Sequence, residues 1–194
     1  MEKLVLTQGS TYSKPVRWGA NTLVYREITG VTNGAPAIVS CPSHGIPEAW
    51  RVEVVSVLGM TEINSTGKGK DYDYHEATVI DGDTIELNDV NSAEYHQYTG
   101  GGYLKFYKPV DLTGYSARMS FKDKIGGVEV LSLTTENGGI VIDVPNFMIM
   151  LSVTATQAAL LTVLKGVCDL EMVKGAEVTK IVSTSWVLKL EVTT

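Results

Sequence analysis

The chain has 194 residues, of which 44% are hydrophobic and 20% charged, enough to give one ordinary domain or two small ones a buried core. That balance excludes disordered, collagen-like and disulfide-scaffold classes. The net charge of −6 is unevenly placed, because residues 28–107 hold four Lys/Arg and eleven Asp/Glu, a net of −7, against twelve and eleven, a net of +1, elsewhere. An acidic middle repels phosphates at close range, so nucleic acid is excluded as a partner of that surface. The longest near-continuous apolar stretches, residues 147–151 and 158–164, fall far short of the roughly 20 residues a membrane helix needs. The opening Met1-Glu2-Lys3-Leu4-Val5-Leu6-Thr7-Gln8 lacks the pattern of a signal peptide. With Cys41 and Cys168 as the two cysteines, the expectation is a protein made in a cytosol, with no membrane partner.

Short runs alternating apolar with polar residues, rich in Val, Thr and Ile and bounded by turn residues, predict an all-β chain. Strands are expected at residues 3–7, 16–25, 37–40, 50–57, 75–80, 84–87, 102–107, 116–122, 129–133, 140–144, 147–152 and 166–173, with a last stretch at 177–191 broken into two. Thr32-Asn33-Gly34, Ile80-Asp81-Gly82-Asp83, Asn137-Gly138-Gly139 and Val173-Lys174-Gly175 put Gly where a positive φ costs nothing, and read as hairpin turns. One short corner helix is expected at 154–161, capped by Ser152 or Thr154 and ended before Gly166. Ser65-Thr66-Gly67-Lys68-Gly69-Lys70 and Thr99-Gly100-Gly101-Gly102 read as mobile surface tips, the second as a hinge.

From residue 109 onward the text contains Pro109-Val110-Asp111-Leu112-Thr113-Gly114-Tyr115, Ala117-Arg118-Met119, Leu133-Thr134-Thr135-Glu136-Asn137-Gly138-Gly139-Ile140 and Gly166-Val167-Cys168-Asp169-Leu170-Glu171. These blocks resemble a β-sandwich module that recurs in tailed bacteriophages and prophages as a tail, baseplate or fibre-associated protein. In that family an opening strand similar to Leu4-Val5-Leu6-Thr7-Gln8-Gly9-Ser10-Thr11 leads quickly into the Asp111-Leu112-Thr113-Gly114-Tyr115 strand, whereas here about eighty residues intervene. Cys168 stands where the family usually has Tyr.

The intervening residues resemble the small β-barrel of the first catalytic cysteine half-domain of ubiquitin-activating enzymes, a module also found in phage tail proteins. The matching text is Ile28-Thr29-Gly30-Val31, Ala35-Pro36-Ala37-Ile38-Val39, His44-Gly45, Gly59-Met60-Thr61-Glu62-Ile63-Asn64, Asp83-Thr84-Ile85-Glu86-Leu87 and Tyr98-Thr99-Gly100-Gly101-Gly102. The loop at 65–71 is longer than in plain repeats of that barrel. The two resemblances imply an Ig-like, baseplate-type sandwich from residues 1–27 and 108–194, with an acidic β-barrel inserted at 28–107. The enzymes' adenylating and cysteine-transfer sites lie in other domains, so their chemistry does not carry over.

Candidate chemistry is sparse. His44, in Pro42-Ser43-His44-Gly45, reads as a turn anchor bonded to backbone. Asp71, Asp73 and His75 share one face if extended and could hold a cation. That spacing equally describes a wet strand, and it lacks the central Gly and distal Glu of a calcium loop or a second ligand at zinc spacing. Cys168 reads as core and Cys41 as a slightly more exposed thiol. Asp81 and Asp83 read as turn formers, and Gly100-Gly101-Gly102 has no following helix or Lys-Ser/Thr pair to cradle phosphate. The expectation is therefore no catalytic, cofactor-binding or metal-binding residue, no cofactor and no small-molecule substrate.

Tyr72, Tyr74, Tyr95, Tyr98, Tyr103 and Tyr107 cluster in the acidic segment and its exit, and tyrosine suits contact surfaces as well as the rim of a small barrel. The resemblance implies a non-enzymatic virion protein, built into a phage tail, baseplate or fibre attachment. It would contact copies of itself and other virion proteins through sandwich edges and the inserted segment. The rival readings are a receptor- or carbohydrate-binding tail-tip module, a capsid decoration or neck protein, and a depolymerase using Asp71 and Asp73.

Overall fold

A computed structural model describes residues 3–68 and 73–191. Two strands come first, β1 (Leu4–Thr7) and β2 (Tyr12–Val16). Seven follow in the central segment: β3 (Gly19–Glu27), β4 (Gly30–Val31), β5 (Ala37–Ser40), β6 (Trp50–Val55), β7 (His75–Val79), β8 (Thr84–Leu87) and β9 (Tyr103–Pro109). The remainder are β10 (Ser116–Lys122), β11 (Glu129–Thr134), β12 (Ile140–Asp143), β13 (Met148–Val153), α1 (Ala155–Ala159), β14 (Lys165–Lys174) and β15 (Glu177–Lys189). The chain is all-β, and the described residues add one short α-helix and a 3-10 turn at Thr61–Ile63, with no helix long and apolar enough to cross a membrane.

The chain divides into two compact units, Met1–Trp18 with Asp111–Thr194, and Gly19–Val110. The boundaries fall at 18/19 and 110/111 instead of the expected 27/28 and 107/108, because Gly19–Glu27 pairs along Tyr103–Pro109 and belongs with it. The expected strand at 16–25 is accordingly two strands, parted at Arg17 and Trp18 where the chain passes between units.

The first unit has a five-stranded sheet in the order β1-β15-β14-β10-β11 and a three-stranded one in the order β12-β13-β2. Period-two alternation sends Ala117, Met119 and Phe121 of β10 inward. They meet Leu4, Leu6, Leu170 and Trp186 of the same sheet, and Ile140, Ile149 and Leu151 of the other, in one core. Each fully buried Leu, Ile, Met or Phe among them contributes roughly 1.5–3 kcal/mol. Trp186 lies edge-on to Phe121, 5.9 Å between centroids, and its indole N–H donates to the Lys122 carbonyl at 3.1 Å.

Two further expectations are corrected here. Residues 177–189 form one continuous strand, since β14 supplies partners from Glu177 to Val187, with one register shift, and β1 pairs with its end at Leu188 and Lys189. Asn137-Gly138-Gly139 joins β11 to β12 in a different sheet, so it is a crossover and not a hairpin turn. Thr154, and not Ser152, caps α1 through a reciprocal box with Gln157.

The second unit is a single sheet in the order β3-β9-β6-β7-β8-β5-β4. β6 pairs with β7 through Trp50–Val52 and with β9 through Glu53–Val55, so it turns a corner between them. The two outer strands are separated in the chain by Ile28 and Thr29 alone, whose N–H groups donate to Gly102 and Ser40 carbonyls. The sheet therefore curls back on itself around Val39, Val52, Val54, Ile85, Leu87, Leu104 and Phe106. By sequence this unit holds six Lys/Arg against twelve Asp/Glu, a net of −6, and the first unit ten against ten.

Candidate interaction surface

Alternation along β3, β9 and β6 puts Leu104 and Phe106 inward and leaves Tyr103, Lys105 and Tyr107 on the outer face. The registers align these residues in rows. Leu23 lies opposite Tyr107, Tyr25 opposite Lys105 and Glu27 opposite Tyr103, while on the other side Glu53 lies opposite Lys105 and Val55 opposite Tyr103. Leu23, Tyr25, Tyr103 and Tyr107 are 40%, 51%, 44% and 43% exposed. Tyr25 and Tyr103 stack edge to face at 6.3 Å. The result is an aromatic face bordered by β3.

An ion pair lies within this face, its carboxylate buried and its ammonium partly so. The Lys105 ammonium lies 3.0 Å from both carboxylate oxygens of Glu53, which is only 4% exposed. The hydrogen bond to Glu53 holds the Lys105 pKa above its ordinary value, against the opposing pull of burial. Tyr74 is pushed up as well, by burial first and then by its own hydrogen bond to Glu53. The Arg51 guanidinium lies 4.6 Å from the Tyr74 ring centroid, completing a strip of Arg, Tyr and a satisfied charge pair. Tyr and Arg are among the residue types that carry most of the energy in protein interfaces.

The other tyrosines of the acidic segment have different surroundings. Tyr98 donates to the carbonyls of Ile28 and Gly101, at 2.8 and 3.0 Å, and locks the point where the sheet curls. Tyr95 is half-buried, its carbonyl accepting from the Asn33 side chain at 2.7 Å. Tyr72 and Asp71 lie outside the described residues, as does part of the 65–70 stretch. Tyr25 and Leu23, absent from the sequence cluster because they precede the acidic segment, join it through the β3–β9 ladder.

The remaining candidates are engaged separately. The buried His44 ring accepts the Ile46 N–H on Nδ1 at 2.9 Å and donates from Nε2 to the Asp81 carbonyl at 2.8 Å, tying one loop to the next. Asp73 is buried and accepts from the Thr66 N–H and hydroxyl at 2.7 and 2.8 Å. His75 pairs with Asp89 at 2.9 Å, so Asp73 and His75 serve different partners. Among the described residues no group of three or more His, Cys, Asp or Glu converges. Cys41 is fully buried, not the more exposed thiol, because its N–H continues the ladder to the Asp83 carbonyl. Burial pushes the Cys41 thiol up to about 11 and that of Cys168 to about 12, so near neutral pH neither is a nucleophilic thiolate. Gly100, Gly101 and Gly102 all take positive φ, and a side chain at Gly102 would stand 2.4 Å from Val57, so this tip is packed closely against β6's exit.

No family model matches the chain, and no curated protein does.

Proposed function

We propose that the chain is a structural component of a tailed-phage or prophage virion, in the tail, baseplate or fibre attachment, and that it acts by protein–protein assembly. The observation that carries the reading is the Leu23, Tyr25, Tyr103 and Tyr107 face of the second unit. It offers contact area at low conformational cost. The particle itself comes from the resemblance of the Asp111-Leu112-Thr113-Gly114-Tyr115 and Cys168-Asp169-Leu170-Glu171 blocks to phage sandwich modules. The first unit contributes sheet edges at β1, β11, β2 and β12.

Exposed tyrosines on a sheet face also stack on sugars, which favours a receptor- or glycan-binding tail tip as the second reading. One experiment separates the two. Particles carrying the Y25A/Y103A/Y107A variant are purified and the amount of this protein per particle is measured, while the isolated wild-type protein is applied to a glycan array. Assembly predicts a folded variant whose incorporation falls on the order of 10-fold or more, and no glycan bound. Unchanged incorporation overturns the assigned face, and glycan binding without particle association overturns the assembly role.

A further inference from the structure

The dipeptide Asn-Gly occurs twice in the chain, as Asn33-Gly34 in the second unit and Asn137-Gly138 in the first, and both asparagines are exposed. In an unfolded chain the two are chemically alike, because the nitrogen of a following glycine reaches the side-chain amide carbon unhindered. The fold makes them different. Asn33 is pinned: its Nδ2 donates to the Tyr95 carbonyl at 2.7 Å and to the Ser92 carbonyl at 3.2 Å. The Gly34 N–H donates to the Ser92 hydroxyl at 3.0 Å, and the Gly34 carbonyl accepts from the Ser92 N–H at 2.8 Å. Ser92 is fully buried, so Gly34 is anchored through both its N–H and its carbonyl to a residue that solvent does not reach.

Asn137 is held in another way. Antiparallel neighbours alternate between pairs that bond and pairs that do not. The Thr135 N–H donates to the Ala117 carbonyl, so Leu133 and Leu131 bond to β10, and the main-chain groups of Ser132 and Thr134 point to the open side of β11, the last strand of its sheet. The Asn137 amide answers both sides of that edge. Its Oδ1 accepts from the Thr134 N–H at 2.8 Å, and its Nδ2 donates to the Ser132 carbonyl at 3.0 Å. An acceptor for one residue and a donor for the residue two before it are what a parallel neighbouring strand supplies, so one side chain seals the C-terminal half of the β11 edge.

The same geometry opens Asn137 to attack from its own chain. Oδ1 accepts a second N–H, that of Gly139, at 2.9 Å. Two backbone donors thus sit on the oxygen where negative charge grows as a nucleophile adds to Cγ, the arrangement that stabilises oxyanions in acyl transfer. The nucleophile is next in the chain. No hydrogen bond engages the Gly138 N–H among the described residues. Gly138 is exposed with a φ of 73°, and a Cβ there would meet nothing within 4 Å, so this peptide has room to turn.

We infer that Asn137 is the site at which the folded chain deamidates, and that the reaction unseals the edge of β11. The Gly138 nitrogen loses its proton to solvent base and bonds to Cγ of Asn137. The Cγ–Nδ2 bond then breaks, and Nδ2 leaves as ammonia after taking a proton from water. Water opens the resulting cyclic imide at either carbonyl, leaving an aspartyl or isoaspartyl residue at position 137. One water is consumed, one ammonia is released, and nothing is oxidised. The new carboxylate has no N–H to offer the Ser132 carbonyl and puts an anionic oxygen beside it, so that edge group is left unanswered. The inference rests on the β11–β12 connection alone and stands whether or not the chain is built into a virion.

The test uses the full-length protein, incubated in mildly alkaline buffer both natively and in urea, then mapped as peptides by mass spectrometry. The native protein is expected to gain the amide-to-acid mass at position 137, with isoaspartyl product present, which direct hydrolysis of the amide does not give. Reaction at Asn33 first requires release of at least one Ser92 hydrogen bond, so native conversion there should be slower on the order of 10-fold. In urea the two sites should convert at similar rates. N137D reproduces one of the two products and should melt about 3 °C or more below the wild type. Equal native conversion at the two sites, conversion at Asn137 only after unfolding, or an absence of isoaspartyl product would each overturn the assigned site and route. N137D melting together with the wild type would overturn the sealing role of the amide.

Discussion

Glu53 and Lys105 show how much depends on one pair of side chains in the second unit. The carboxylate is 5% exposed and the ammonium 23%, and each has its charge answered within 3.0 Å. Removing one partner strands the other in a poorly solvated place, so K105M is expected to cost about 3–5 kcal/mol, and the apolar double variant E53L/K105M to recover most of that. The sign with pH follows from the raised Lys105 pKa. Its stabilising contribution is fully present below the ordinary lysine value of 10.5 and is lost as pH rises through the higher folded value. Urea denaturation between pH 8 and 11.5 should show the wild type losing more stability than E53L/K105M. Parallel curves for the two proteins would refute the assignment. The sequence marks Tyr103 and Tyr107 as candidates by residue type alone. It hides Glu53, Lys105 and Leu23, because what makes them one surface is a ladder between residues some fifty to eighty positions apart.

At the level of elements, alternation was a sufficient guide wherever a strand keeps one face in the core. Residues 37–40, 84–87 and 116–122 have the bounds their pattern implies. It misled where both faces are wet, as in β3, and where two extended segments abut, as at Arg17 and Trp18, since nothing in a period of two reports which sheet a strand joins. Glycines are similarly ambiguous in sequence and distinct in space. At Gly166 a Cβ would stand 1.9 Å from the Lys122 carbonyl oxygen, in the β10–β14 pairing and beneath the Trp186 indole. At Gly82, on the β7–β8 turn, it would meet nothing within 4 Å. G166A is therefore expected to push β10 from β14 and lower stability by roughly 2 kcal/mol or more, with G82A within about 0.5 kcal/mol of wild type. Thermal unfolding followed by circular dichroism distinguishes them, and similar melting temperatures would mean that the close approach at Gly166 is not needed.

The two-unit organisation of the whole molecule has a physical signature beyond the sudden acidity of the sequence. Gly19 and Pro109, the first and last residues of the second unit's outer ladder, lie opposite each other. The segment thus leaves and returns at neighbouring points, and no strand of the first unit enters its sheet. It has its own core, with Val39, Val52, Val54, Ile85, Leu87 and Leu104 fully buried, and at roughly 90 residues it is large enough to fold without a metal or disulfide. Residues 19–110 expressed alone should therefore give a dispersed amide spectrum and one cooperative unfolding transition. Residues 1–18 joined to 111–194 by a short Gly-Ser linker should do the same, since β1 and β2 reach their partners in β15 and β13 without crossing the excised segment. The charge should separate with the pieces. The excised 19–110 unit takes the whole net charge of −6 and the remainder is neutral by sequence, so near pH 7 the 19–110 fragment binds an anion exchanger and the joined 1–18/111–194 protein passes through. A disordered 19–110 fragment that orders only when the rest of the chain is added would show instead that the two bodies share one folding unit.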